Sequence, residues 1–197
     1  RLEFLPLPCP DPKYEGVGFD DSLTFQYQTA EGHDYSLSSL RYLIPVTAAT
    51  EVGFMMAQSK LRLGREFEDV NARGKSKYYS LYTTHEFVNK ENVSFSGRLG
   101  FDYKDVINFQ NNNVTSRDLM RVAKASFNVD ISDRFGRTIF DNELGLGIPD
   151  IMGGLDSKDS RASRVGSGGK FVKDTITFLR LQKMPFSSNL LWKNQAQ

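Results

Sequence analysis

Apolar and polar side chains alternate along much of this chain. In 93–104, Val93, Phe95, Leu99, Phe101 and Tyr103 fall on one side with Gly97. Ser94, Ser96, Arg98, Gly100, Asp102 and Lys104 fall on the other. In 123–132, Ala123, Ala125, Phe127, Val129 and Ile131 oppose Lys124, Ser126, Asn128, Asp130 and Ser132. In 137–148, Phe140, Leu144, Leu146 and Ile148 oppose Arg137, Asp141, Glu143, Gly145 and Gly147. A period of two is the signature of a β-strand with two different surroundings. The same reading places strands at 22–30, 34–44, 51–61, 75–87, 93–104, 117–132, 137–148, 170–183 and 188–195, paired in antiparallel meander order. No segment of helical period longer than about two turns competes with them.

These strands are long. Soluble strands usually run about 5–6 residues, whereas about 9–11 tilted residues cross a bilayer. Their connections alternate in length. Pro45 to Thr50, Val88 to Asn92, Asp133 to Gly136 and Met184 to Asn189 are short; Arg62 to Gly74, Lys104 to Arg117 and Pro149 to Gly169 are long. Ala30 to Asp34 falls on the long side but is short. Short turns at one end and long loops at the other fit an outer-membrane β-barrel. A lipocalin-like barrel or a sandwich with its apolar face inward is the competing reading of the alternation alone.

The cost of burying charge assigns the two faces. Arg or Lys on the lipid face at the bilayer midplane costs about 2–4 kcal/mol. Arg98, Asp102, Lys124, Asp130, Asp141 and Glu143 should therefore line a wet lumen, together with Arg180. Phe95, Leu99, Phe101, Phe127, Val129, Leu144 and Leu146 should face lipid. Tyr42, Tyr103, Phe127 and Phe171, near strand ends, should sit at the interfaces. A mixed-sign lumen would give a passing polypeptide nothing to stick to. Cross-strand pairing that merely holds the sheet together is an equal reading for any one of these charges.

Composition adds little against this. At 197 residues one domain is the default, and a net charge of +1 argues for neither nucleic-acid binding nor an acidic tail. The chain holds 15 Phe, 8 Tyr and one Trp. Mean hydropathy is −0.43, with no apolar run long enough for a transmembrane helix. Barrel strands show lipid only every second side chain, so low hydropathy does not exclude the membrane.

No enzyme constellation stands out: neither catalytic nor metal-binding residues, and no cofactor, are expected. His33 and His85 lack partners at metal-ligand spacing. Cys9, the one cysteine, sits among prolines without an adjacent base. Gly166-Ser167-Gly168-Gly169 lacks the Lys-Ser/Thr ending of a phosphate loop and precedes a strand. Pro6, Pro8, Pro10 and Pro12 make residues 1–18 an irregular lead-in. Arg1 to Pro12 carries no signal-peptide pattern, and the lack of an initiating Met favours a fragment.

Several segments together resemble the barrel of two-partner secretion transporters, the haemolysin secretion/activation family of the Omp85 superfamily. Asp133-Arg134-Phe135-Gly136 looks like that family's tight turn, and Leu144-Gly145-Leu146-Gly147-Ile148 like the strand after it. Gly153-Gly154-Leu155-Asp156 and Gly168-Gly169-Lys170-Phe171-Val172-Lys173 are similar to its loop and return strand. Leu179-Arg180-Leu181-Gln182-Lys183-Met184-Pro185 resembles an Arg-Leu-Gln…Pro strand end. Upstream, Gly18-Phe19-Asp20-Asp21-Ser22-Leu23 and Tyr42-Leu43-Ile44-Pro45 look like an entry turn and a strand ending at a periplasmic proline. The order and spacing of these segments cover about residues 18–197.

The resemblance implies an all-β fold: an antiparallel up-and-down transmembrane β-barrel, here a partial barrel of about nine strands in a curved open sheet. The barrel portion would be 19–197. The family's POTRA domains and the second half of its sixteen-strand barrel do not match anything here. The implied function is export of an unfolded exoprotein, of haemolysin or adhesin type, across the outer membrane of a Gram-negative bacterium. The partners would be that exoprotein and outer-membrane lipid. An outer-membrane insertase of the same superfamily and a passive porin or surface barrel are the alternatives.

Overall fold

A computed structural model describes residues 21–30, 35–63, 71–111, 113–156, 159–164, 169–185 and 188–197. The irregular lead-in at 1–18, Cys9, His33 and Gly166 to Gly168 lie outside them. Nine strands follow one another: β1 (Ser22–Thr29), β2 (Tyr35–Thr47), β3 (Thr50–Arg62), β4 (Arg73–Lys90), β5 (Val93–Gln110), β6 (Asn113–Asp133), β7 (Gly136–Gly147), β8 (Phe171–Lys183) and β9 (Asn189–Ala196). They form one antiparallel sheet in sequence order, each strand bonded to the next, with β1 and β9 at its edges. One 3-10 turn, Ile151–Gly153, interrupts the long connection after β7, and the described residues contain no α-helix. The fold is all-β, an up-and-down open sheet.

One end of the sheet is closed by tight turns. Thr47 pairs with Thr50, Lys90 with Val93 and Asp133 with Gly136, each leaving two residues between. The Asp133 carboxylate accepts a hydrogen bond from the Phe135 N–H at 2.7 Å, which holds the last of these turns. Pro45, expected in a turn, lies inside β2 opposite Glu51, next to an irregular register between Pro45 and Thr47. A proline is tolerated there because the ladder is already broken.

The connection from Lys104 to Arg117 is the main difference from expectation. It is not a loop. β5 and β6 run on as a ladder until Gln110 pairs with Asn113. Asn111 takes a φ of 48°, the left-handed conformation that asparagine enters readily in hairpin tips. β5 and β6 are accordingly 18 and 21 residues long, against 13 for β2 and β3.

Pairing fixes which side chains share a face, since directly opposed residues project the same way. Face A carries Leu23 and Phe25 of β1, Leu40 and Ile44 of β2, Phe54 and Met56 of β3, and Tyr79 and Leu81 of β4. It continues with Leu99 and Phe101 of β5, Ala123 and Ala125 of β6, Leu144 and Leu146 of β7, and Val172 of β8. Many of these are open to solvent, Leu81 by 58%, Leu99 by 62% and Val172 by 74%. The buried apolar set among the described residues is only Leu119, Val122 and Leu155, while the largest fully buried side chains are Arg121 and Asp102. This sheet is inverted relative to a water-soluble domain. Its apolar surface points outward over many strands, far beyond the patch a monomer in water normally exposes.

Candidate functional site: the charged concave face

Face B, the opposite side, is hollow. A concavity of about 500 Å3 is lined by residues of seven successive strands, from Thr24 and Gln26 of β1 to Glu143 of β7, which requires the sheet to curl around it. A neighbouring hollow continues along β5 to β8 and includes Asn128, Asp141, Lys173 and Thr177.

At its centre is a polar network across four strands. Asp102 of β5 is 1% exposed. Its Oδ1 accepts hydrogen bonds from the Tyr78 hydroxyl at 2.9 Å and the Ser80 hydroxyl at 2.7 Å. Its Oδ2 has no well-aligned hydrogen bond; the charge of Lys124 stands 3.2 Å away. Lys104 lies at 4.0 Å from the same oxygen. Lys124 also reaches Glu143 of β7 at 3.2 Å, so the ions run anion, cation, anion over β5, β6 and β7. A buried carboxylate needs such partners, because water no longer solvates it.

Tyr82 of β4 organises the next part of the wall. Its hydroxyl accepts a hydrogen bond from Arg41 Nε at 3.0 Å, and Arg98 lies 4.7 Å from its ring centroid. Arg98 also donates from Nε to the Thr84 hydroxyl at 3.1 Å. The ring lies across Gly53 of β3: a Cβ there would stand 2.2 Å from Tyr82 Cζ. Glycine is required by this close approach, with the aromatic covering the gap it leaves. Toward the tight turns, Asn128 donates to Asp141 at 2.6 Å and the Arg137 guanidinium clasps Asp130 with two Nε contacts at 2.9 and 3.0 Å and an ion pair from Nη2.

Arg98, Asp102, Lys124, Asp130, Asp141 and Glu143 therefore share one face, by register. Arg180 does not. It opposes Thr138, which opposes Ile131 and then Val93, so it belongs to face A. There it pairs with Asp133 at 2.7 Å and donates to Thr138 at 2.6 Å, near the tight-turn end. Phe95, Leu99, Phe101, Phe127, Val129, Leu144 and Leu146 all lie on face A. Tyr42, Tyr103 and Phe127 lie there too, but Phe171 is on face B, its ring filling the space beside Gly147. Sequence reasoning missed Arg41, Tyr78, Ser80 and Tyr82. The signal was present in the alternation Tyr78, Ser80, Tyr82, Thr84 within β4.

One cation on face A has an explanation of its own. Arg121 is 1% exposed beneath the segment that follows β7. It stacks 3.4 Å from the Tyr103 ring centroid and donates to the carbonyls of Lys104, Met120 and Met152 at 3.2, 2.9 and 2.7 Å. β7 stops at Gly147 while β6 continues, so the segment itself completes the ladder. Ile148 N–H donates to the Arg121 carbonyl, Leu155 N–H to that of Leu119, and Arg117 N–H to that of Arg161. His85 lies on face A, with Nδ1 2.8 Å from the Thr50 hydroxyl and Phe87 at its ring edge. Among the described residues no three His, Cys, Asp or Glu side chains lie close enough to share a metal ion.

No protein-family model matches the chain, and no curated protein matches it. Among solved structures it is similar to CdiB from Escherichia coli, with a TM-score of 0.66 and 14% sequence identity. The match covers 84% of this chain and 31% of that one, so this chain spans about a third of its length. At that identity the likeness is one of fold.

Proposed function

We propose that this chain forms part of the wall of an outer-membrane β-barrel that exports an unfolded polypeptide, with face A against lipid and face B toward the passage. The observation that carries the reading is the inversion itself. One set of strands presents continuous apolar surface outward and a hollow, charged surface inward. Lipid stabilises the first by replacing water around it. The second stays hydrated.

The lumen wall carries both signs. Arg41, Arg98, Lys104, Lys124, Arg137 and Lys173 alternate with Glu51, Asp102, Asp130, Asp141 and Glu143, and most are held by neighbours on the wall itself. A segment of either charge sliding past meets ions already paired, so no step of its passage is a deep trap. The sequence segments that resemble two-partner secretion transporters point to a secreted exoprotein as the passenger. The fold likeness to CdiB is consistent with a barrel of that architecture.

Photo-crosslinking tests this in cells that make the protein together with a candidate secreted exoprotein. A crosslinker at Thr84 or Ser126, on face B, should capture the passenger. The same probe at Leu99 or Phe101 should capture none. Ion conductance without any face-B adduct would identify a passive pore instead.

A further inference from the structure

Face A changes character abruptly at the end opposite the tight turns. On β5 and β6 apolar side chains continue to Phe109 and Val114, but on β3 and β4 the last aromatic of the band is Tyr79, packed edge to face on Tyr103 with centroids 5.8 Å apart. Just beyond it, on these two strands, face A becomes basic. Lys77 opposes Gln58, Lys75 opposes Lys60, and Arg73 opposes Arg62. Lys60, Arg62, Lys75 and Lys77 are exposed. Like charges directly opposite one another on a sheet repel, and Lys60 and Lys75 stand so here.

Lys75 lies 5.3 Å from the ring centroid of Phe109, a contact that leaves its charge in place. Asp105 lies opposite Lys77 but is already clasped by Arg117, at 3.2 and 2.9 Å. Among the described residues no carboxylate forms an ion pair with Lys60, Arg62, Lys75 or Lys77. The tight-turn end of the same face is different: Arg180 is matched by Asp133, and Tyr42 donates to Asp21 at 2.6 Å. The basic surplus belongs to one end only.

We propose that Lys60, Arg62, Lys75 and Lys77 form a docking surface for the phosphate groups of an anionic lipid headgroup. The inference rests on the membrane reading of face A. Position supports it: the row lies two to six residues past the level of Tyr79, about 7–20 Å along a strand, where a headgroup layer follows the hydrocarbon. Lysine and arginine stems suit that level, since they lie along apolar surface while their charged ends reach phosphate. Lipid phosphate would remove the repulsion that the sheet alone leaves standing.

Vesicle flotation of the full chain separates this from the reading beneath it. The probes are vesicles of phosphatidylcholine alone and of phosphatidylcholine with phosphatidylglycerol, each at low and high salt. The chain should float with both, and more strongly with the anionic vesicles at low salt. Each basic side chain near such a surface contributes about fivefold. The variant K60Q/R62Q/K75Q/K77Q should lose about tenfold or more of the anionic preference, keep its binding to neutral vesicles, and keep its far-ultraviolet β signal. A variant that retained the anionic preference would overturn the proposal alone, as would equal binding of the parent chain to both vesicles. A chain that floated with neither would overturn the membrane reading and this proposal with it.

Discussion

The two faces of this sheet use the same nine strands and solve opposite problems. Face A gains almost nothing in water. Many of its leucines and phenylalanines stand exposed, with no second layer over them among the described residues. Face B stabilises itself. Asp102, Lys124 and Glu143, or Arg41, Tyr82 and Arg98, satisfy each other across strands and need only water in the hollow. Alternation is thus a division of labour: every second residue builds an open apolar surface, and the rest answer to one another. The exceptions show the rule operating. Arg121 is charged on face A, but it is sealed under its own loop. Asn142 and Asp174, also on face A, are hydrogen bonded at 2.6 Å.

The largest effect should come from placing one charge on each face. Leu99 lies mid-band on β5, so Leu99→Arg should lose about 2–4 kcal/mol of stability in lipid. Thr175→Lys, on face B opposite Glu143, should change stability by about 0.5 kcal/mol or less. Urea midpoints of the protein refolded in vesicles measure both. Equal penalties would mean that the two faces share one environment.

Much of this division is legible in the sequence, and the misses have physical reasons. β5, β6 and β7 show it openly because over 93–104, 123–132 and 137–147 their apolar residues, Ile139 apart, keep one parity. β8 does not: Val172, Ile176 and Phe178 share parity with Asp174 and Arg180, while Leu179 and Leu181 share the other with Lys173. Only pairing to β7 decides its orientation, which is why Arg180 is misplaced by sequence alone. The β5–β6 extension was hidden for a related reason. Beyond Tyr103 neither face meets a uniform solvent, so 104–117 is under no pressure to alternate and reads as a polar loop. The Asp102 network is invisible to pattern for a third reason. Its members come from four strands, and their meeting depends on register.

That network offers the next test. Asp102→Ala strands the Tyr78 and Ser80 donors and leaves Lys124 with Glu143 alone, which should cost about 1–3 kcal/mol. Asp102→Asn keeps an acceptor and should cost less. If the Asn variant were as unstable as the Ala variant, charge on Lys124 would matter more than the hydrogen bonds. A smaller effect is expected from Gly53→Val. Its side chain claims space now held by the Tyr82 ring, and such overpacking costs about 1 kcal/mol or more. In a Tyr82→Ala background the penalty should largely vanish; persistence would place the strain in the β3 backbone instead.

The smallest effect should be found in the loop that caps the upper edge of face A. Arg161 holds Asp159 by Nε at 3.0 Å and by its backbone N–H at 2.9 Å, and these bonds pull the Asp159 carboxyl down to about 2 from its ordinary 3.8. A depressed carboxylate contributes its stabilisation above the unfolded value near 3.8 and loses it as pH falls through about 2. Acidification from pH 7 to 4 should therefore leave this turn unchanged, along with the hydrogen bond from Arg117 N–H to the Arg161 carbonyl at 2.8 Å. Arg161 is exposed and Asp159 partly so, so salt screens the pair and its share in global stability is slight. Carbon-detected titration of Asp159 reports it directly. A midpoint near 4 would mean that the turn is not held by this pair, and that the loop rests on the Arg121 carbonyl bonds and its ladder contacts alone.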